Sequence, residues 1–379
     1  MKLLVVAPYF YPKIGGLENY AWNICKGLKN TYGWEIVAVA SNHKEKKYVE
    51  ETIEGIKMYR LPYWLKLSNT PINLGWILDL IRIIKKEKPT VITAHTPVPF
   101  ISDLAAVVSY FFKIPFFLTY HNDLIKNNVL DILFKLYYST FGMITFNISK
   151  NIITTSQYFA EHSKYLESYK NKLQIIPPGV DIHFNDSIVV DTDLKKQYAD
   201  KKIVLFVGQL DATHQHKGLS YLIESIEIVK QKIENIKLIV IGKGDLIQEY
   251  KNQAKKIDVE FKENIDDTQL VQFYKLSDVV VLPSISDAEG FGMILIEAGA
   301  CHKPVIGSQI GGIPYVIDHE ETGLLTKAKD TEALATNITN ILQDTTLAKK
   351  MGENGYNKVS KEFSWNMQIH KTDKLFRNI

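Results

Sequence analysis

Two glutamates, Glu289 and Glu297, stand eight positions apart in the stretch DAEGFGMILIE, directly after the apolar run DVVVLPS from Asp278 to Ser284. An apolar strand, a small loop and then a helix is the arrangement in which ligands settle at the carboxyl end of a parallel sheet. Glu289 is then a loop residue, and Glu297 lies about two turns further on, in a helix expected to start near Phe291. An ionised carboxylate only accepts hydrogen bonds and a sugar is a cluster of donors, so the pair suits a polyhydroxylated ligand. Spacing alone leaves open a chance pair on a charged helix.

Other residues with usable chemistry sit where apolar runs end. After LLVVAP, Gly15 and Gly16 in YPKIGGLENY remove side chains at the mouth of a helix, so backbone N–H groups and the helix dipole can face an anion. This is not the G-x-G-x-x-G of a nicotinamide enzyme, and a plain glycine turn would read the same way. His95 closes TVITAH; His121 closes FFLTYH, with Asp123 two residues on. Two histidines at strand ends of one domain point to function more than either does alone.

Lys217, before Gly218 at the head of a helix, can meet a phosphate as a point charge. Gly242 in IGKGD and the glycines of GSQIGGIPYVI are further turns after strands. His214 and His216 lack the companion ligands of a metal site. The D-x-D at Asp191 to Asp193 lies away from any strand end and reads as a linker or helix cap.

The elements that must position these residues alternate. Apolar runs at Leu3–Pro8, Glu35–Ser41, Thr90–His95, Phe116–His121 and Asn151–Ser156 read as strands separated by amphipathic helices, and the second half repeats the rhythm at Lys202–Gly208, Ile236–Gly242, Asp278–Pro283 and Lys303–Ser308. With 379 residues, 46% of them hydrophobic, the chain can build two cores. The Pro-Pro-Gly turn and the aperiodic stretch behind it place the boundary near Asp181 to Lys201. Two doubly wound α/β domains then face a central cleft.

Residues 1–184 form the first domain, 185–360 the second, and 361–379 a closing helix that could pack back on the first. A net charge of +3 does not call for nucleic acid. Cys25 and Cys301 are too far apart in sequence to suggest a disulfide framework and fit a cytoplasmic protein. The apolar stretch Ile101–Tyr120 is broken by Asp103, Lys113 and Pro115, so it reads as a buried helix followed by a strand rather than a membrane span.

With these motifs in place the chain resembles glycosyltransferase family 4, retaining enzymes of the GT-B fold. The likeness runs along essentially the whole length and rests on E-x7-E with GFG inside, Lys217–Gly218, GGIPYVI and the N-terminal GGLE in the expected order. It implies transfer of a hexose from a UDP- or GDP-sugar to a hydroxyl of a glycolipid, lipid-linked or polysaccharide acceptor, with no cofactor and no divalent metal.

Glu289 would hold donor-sugar hydroxyls and Glu297 the ribose. Lys217 would neutralise the leaving diphosphate, with backbone amides near Gly15, Gly16, Gly290 and Phe291. The donor surround would also include Gln209, Gly242 and Gly292, and Ile265 would mark where the backbone reads the base. His121 would touch the sugar beside the reacting carbon; His95 and Asp123 would lie on the acceptor side. One departure stands out: the family usually has arginine where this chain has Gln209, and the gap to Lys217 is lengthened by DATHQH.

The acceptor is expected on the first domain. There Pro62 to Pro89 combines aromatics with Arg82, Lys85, Lys86 and Lys88, a composition suited to peripheral contact with an anionic cytoplasmic membrane face and equally to an ordinary solvated helix. A different GT-B enzyme, such as an epimerase or phosphorylase, or a non-catalytic sugar-nucleotide-binding subunit, remain alternatives at this level.

Overall fold

The computed structural model describes all residues except 14, 44, 68, 69, 97 and 124–129, and the side chains of 67, 130, 131, 133 and 134 also lie outside the description. The chain divides into two units, one made of Met1–Pro178 and Trp365–Ile379, the other of Gly179–Ser364. The boundaries expected after residues 184 and 360 lie a few residues from these positions, and the closing helix Trp365–Arg377 is counted with the first unit.

In the first unit the strands are β1 (Lys2–Ala7), β2 (Glu35–Ser41), β3 (Val49–Ile53), β4 (Ile56–Leu61), β5 (Leu65–Leu67), β6 (Thr70–Ile72), β7 (Val91–Thr96), β8 (Phe116–Tyr120), β9 (Asn151–Thr154) and β10 (Leu173–Ile175). Eight of them form one sheet in the order β10-β9-β8-β7-β1-β2-β4-β3, with β5 and β6 a separate hairpin. All neighbours in that sheet run parallel except β3 and β4.

Alternate residues of β1 feed two cores. Leu3, Val5 and Ala7 pack with α1 (Gly16–Tyr32) and the closing helix, whereas Leu4 and Val6 pack with α2 (Trp76–Glu87) and α3 (Ile101–Phe111). This two-sided burial is why the central strands read as continuous apolar runs. A further stretch of helix, α4 (Leu130–Tyr137), passes through one π turn at Tyr138–Gly142 into α5 (Met143–Ile148). Among the described residues no helix is long and apolar enough to cross a membrane.

The second unit holds β11 (Lys202–Val207), β12 (Ile236–Ile241), β13 (Val259–Lys262), β14 (Val279–Leu282), β15 (Val305–Ser308) and β16 (Gly323–Thr326), in the order β13-β12-β11-β14-β15-β16. Every pair is parallel. The order therefore reverses between β11 and β14, and the loops leaving those two strands frame the position where open α/β sheets bind ligands.

The closing helix is held to the first unit by specific polar contacts. Trp34 Nε1 donates to Asp373 Oδ1 at 2.7 Å and Tyr32 Oη lies 2.9 Å from His370 Nδ1, while Arg377 Nε, within the helix itself, donates to the same Asp373 carboxylate. Gly27 in α1 faces Ile369 so closely that a methyl group there would overlap the isoleucine side chain. Replacing Gly27 with Ala should cost about 1–2 kcal/mol, because overlap outweighs the gain of about 1 kcal/mol in helix propensity. In an Ile369→Ala background the same change should stabilise. All five tryptophans belong to this unit, so urea unfolding followed by tryptophan fluorescence reads it; the same sign in both backgrounds would reject the contact.

Candidate active site

Lys217 and Glu289 follow the two strands at the reversal, β11 and β14, and their side chains meet. Lys217 Nζ lies 2.8 Å from Glu289 Oε2, and the Gly292 N–H donates to Glu289 Oε1 at 3.1 Å. Both ends of the carboxylate are thus engaged, and Glu289 is only 9% exposed. The alkyl stem of Lys217 crosses Gly208, whose missing side chain leaves it room: a Cβ there would stand 2.8 Å from Lys217 Cδ.

Backbone packing holds the two loops. Gly218, at φ 75°, lies against the Pro283 carbonyl where no Cβ fits. Ile285 N donates to His216 O at 2.8 Å and Gly312 N to Glu289 O at 2.9 Å. Gly312 itself lies on the carbonyl of Gly290 and Gly242 on that of Gly208, again with no room for a side chain.

The helix after GFG begins at Met293, two residues later than expected, with Gly292 in the left-handed region as its cap. Glu297 is therefore in the body of the helix Met293–Ala300. Its Oε2 accepts from Tyr274 Oη at 2.5 Å, and burial raises its pKa against the opposing pull of Tyr274 and Lys217. Tyr274, on the preceding helix, carried no sequence signal; a tyrosine in VQFYKLSD looks like any amphipathic core residue. Phe291 packs edge-on against Phe363 at 5.5 Å, and Ile265 packs partly buried against the same core.

Gln209 is exposed at the end of β11. His214 and His216, in the lengthened gap before Lys217, both have partners already. His214 Nδ1 is 2.8 Å from Asp211 Oδ1. His216 Nδ1 lies 3.2 Å from Thr213 O, a contact that needs a proton on that nitrogen, and burial with Lys217 beside it lowers its pKa. Asp191 caps a short helix by accepting from the N–H groups of Asp193 and Leu194, as read for the D-x-D.

In the first unit the strand-end histidines form one pair. His95 Nδ1 and His121 Nε2 are 3.1 Å apart, their rings stack at 5.4 Å, and Tyr20 stands edge-on to both. Only His121 of the two is partly open; His95, expected on the acceptor side, is 3% exposed and lies against His121. Burial drives the His95 pKa down to about 3, and burial with His95 as neighbour holds His121 well below the usual range. Both rings are neutral at pH 7.

Asp123 accepts from Tyr120 Oη at 2.5 Å and Ser163 Oγ at 2.7 Å. Gly15 is the residue before α1, and its α-carbon faces the Glu18 carboxylate, which has Lys13 Nζ at 3.9 Å. The helix mouth read as an anion seat thus already has an acidic side chain beside it, while Gly16 faces open space.

Strand-end glycines, a lysine–glutamate pair at the reversal of a parallel sheet and a second glutamate in the next helix thus all lie in the second unit. A family model described as Glycosyltransferase Family 4 matches residues 14–184, and one described as Glycosyl transferases group 1 matches residues 191–358. The chain belongs to glycosyltransferase family 4.

Similar proteins to this family 4 glycosyltransferase include a D-rhamnosyltransferase of Pseudomonas aeruginosa, 27% identical over 91% of this chain and 87% of that one. The phosphatidylinositol N-acetylglucosaminyltransferase GPI3 subunit of Saccharomyces cerevisiae is 22% identical over 100% of this chain and 83% of its own length. The structure of Anabaena HepE in complex with UDP superposes with a TM-score of 0.78 at 18% identity, covering 100% of both chains. The fold is GT-B.

The histidine pair yields a titration prediction. Between pH 8 and 5 neither ring should take up a proton, although an ordinary histidine does so near 6.5. Depressed folded-state pKa values mean that their contribution to stability is full above about 6.5 and is lost as pH falls. His95→Gln should raise the His121 pKa and shallow that fall. Side-chain NMR showing either wild-type ring titrating near 6.5 would contradict the buried neutral pair.

Proposed function

We propose that the protein is a retaining, metal-independent glycosyltransferase that moves a hexose from a UDP- or GDP-sugar to a hydroxyl of a lipid-linked, glycolipid or polysaccharide acceptor. The observation that carries this reading is the Lys217–Glu289 pair at the sheet reversal, 2.8 Å between charges.

Breaking the bond from the sugar C1 to the diphosphate oxygen builds positive charge on the ring and negative charge on the leaving group. Lys217 and backbone amides near Gly290 and Phe291 offset the second, while the Glu289 carboxylate accepts from donor hydroxyls. Glu297 turns one oxygen to Tyr274 and leaves Oε1 for the ribose. The acceptor oxygen bonds to C1 on the face the diphosphate leaves, and its proton passes to the departing phosphate. Asp123 is a poor nucleophile on the opposite face, since Tyr120 and Ser163 already bind one of its oxygens. His121, neutral, can offer a hydrogen bond but no charge.

Gln209 brings no charge where the family has arginine, which removes stabilisation of a few kcal/mol that fixed cations give a diphosphate. The relatives include an enzyme named for a phosphatidylinositol substrate, and a lipid-borne acceptor at an anionic membrane face is the class favoured for this chain.

The deciding experiment is a thermal-shift panel of UDP-, GDP- and ADP-sugars, with and without magnesium, on wild type and Glu297→Ala. A donor at a hundred times its Kd adds about 2.7 kcal/mol. One nucleotide sugar should stabilise wild type without metal and fail on the variant. Binding without turnover on any acceptor would favour a non-catalytic subunit, and no binding would reject the reading.

Tyr274→Phe provides a finer check. Loss of the tyrosine's hydrogen bond lets burial raise the Glu297 pKa further, so the carboxylate that accepts from the ribose is depleted as pH falls. Nucleotide affinity should drop about tenfold at neutral pH, the worth of a hydrogen bond to a charged group. The deficit should widen toward acid; calorimetry finding a pH-independent deficit would remove the carboxylate from the argument.

A further inference from the structure

Helix α3 buries Ile101, Ala105, Ala106 and Val108 in the core, yet its polar and apolar residues are not sorted between core and surface. Its polar residues Ser102, Asp103 and Ser109 are all buried. Ser102 Oγ donates to His95 O at 2.8 Å, Ser109 Oγ to Ala106 O at 2.6 Å, and Asp103 Oδ1 accepts from Thr145 Oγ1 at 2.5 Å. The other side of the helix carries Leu104 and Val107, partly exposed, and ends in Tyr110 and Phe111, exposed by 67% and 76%. On a helix whose outer side faces water, that side ordinarily carries polar residues.

Its neighbours continue the theme. Helix α3 packs between α2 and α5. The face of α2 opposite its buried Trp76, Leu80 and Ile84 carries Leu78, exposed by 57%, then Arg82 and Lys85 one and two turns on. Along α4 and α5, Ile132, Leu136, Met143 and Ile144 are exposed. Of eighteen exposed large apolar side chains among the described residues, eleven fall between Trp64 and Ile144, against two in the whole second unit.

Exposed charge among the described residues of this stretch is one-sided. From Pro62 to Lys150 the described exposed charges are seven lysines and Arg82. The acidic side chains described there, Asp79, Glu87, Asp103 and Asp123, are buried or partly buried. The aromatic content read from the sequence between Pro62 and Pro89 needs correcting, because Trp76 is fully buried and Trp64 is the exposed one, and Lys86 is met by Glu50 of β3.

We propose that the outer face of α2, α3 and α4–α5 is a docking surface for an anionic phospholipid bilayer. Apolar side chains of this kind enter the boundary between headgroups and acyl chains, and lysine and arginine beside them face lipid phosphates. The proposal rests on the lipid-borne acceptor argued above and supplies the surface that such an acceptor would require.

Flotation of the full chain with phosphatidylcholine vesicles, with and without phosphatidylglycerol, tests it. Recruitment should need the anionic lipid and weaken with salt. Arg82→Gln and Lys85→Gln should each lower vesicle affinity about fivefold, the equivalent of about 1 kcal/mol per basic residue at a charged surface. Phe111→Glu combined with Leu78→Glu should abolish recruitment while thermal unfolding and nucleotide binding stay as in wild type. Absence of recruitment, recruitment indifferent to lipid charge, or variants that float like wild type would overturn the proposal. So would a dimer in light scattering that the double variant dissolves, since the face would then belong to a second copy. Nucleotide binding measured without vesicles separates the two readings: a protein that binds donor but not vesicles loses only this surface, and one that binds vesicles but no donor loses only the transferase reading.

Discussion

At the carboxyl edge of the second sheet, loop backbones lie directly on one another with no side chain between them. Gly218 meets the carbonyl of Pro283, Gly312 that of Gly290 and Gly242 that of Gly208. Each contact ties a loop after one strand to a loop after its neighbour. Side-chain packing leaves rotamer freedom, whereas backbone against backbone fixes a position to within the width of an atom. The separation of 2.8 Å between Lys217 and Glu289 is set by this layer. The sheet order supplies the rest, since only a reversal between β11 and β14 makes their following loops neighbours.

The first unit reaches order at its strand ends by another route. Side chains do the holding there: His95 stands behind His121, Tyr20 lies edge-on to both, and Tyr120 and Ser163 fix Asp123. Burying two imidazoles together is tolerable only while both are neutral, because a protonated ring would be desolvated and would repel its partner. Neutrality allows one ring to donate and the other to accept. A histidine kept in that state presents a hydrogen bond of defined direction, and the tautomer of one ring dictates that of the other.

Much of this was legible in the sequence for a specific reason. The central strands are buried on both faces, so their runs of Val, Ile and Leu stand out; Glu35–Ser41 agrees residue for residue. What went unseen is the edges and, beside one of them, β4 (IKMYRL), buried between β2 and β3. β3 reads VEETI with alternating partial exposure, and β10, β13 and β16 span three or four residues each, too short or too polar to register against loops. Partners brought together by the fold were equally hidden: Tyr274 with Glu297, Glu18 at the glycine turn, and His95 buried against His121. Trp64 and Trp76 look alike in the chain, yet the second is buried at the start of α2 and the first, just ahead of β5, is exposed. Sequence spacing reports what lies on one element; it says little about which elements meet.

The Lys217–Glu289 pair also addresses a problem that any site for a charged donor must meet. A lysine and a glutamate this buried would each be costly to leave alone, and removal of one partner from such a pair destabilises by several kcal/mol. Paired, they neutralise each other in the empty protein. On the proposed reading the donor carries a matching complement, a diphosphate for the ammonium and hydroxyls for the carboxylate. Binding then exchanges one set of partners for another without exposing an unpaired charge, and the net gain is small in the ground state. As the glycosyl bond breaks, negative charge grows on the diphosphate, and Lys217 is attracted to it more strongly than to Glu289. The interaction therefore strengthens along the reaction coordinate, which is the condition for catalysis rather than mere binding. Gln209 sharpens the dependence, because an uncharged amide in the place of an arginine leaves Lys217 as the lysine or arginine side chain that this unit's reversal loops bring to Glu289.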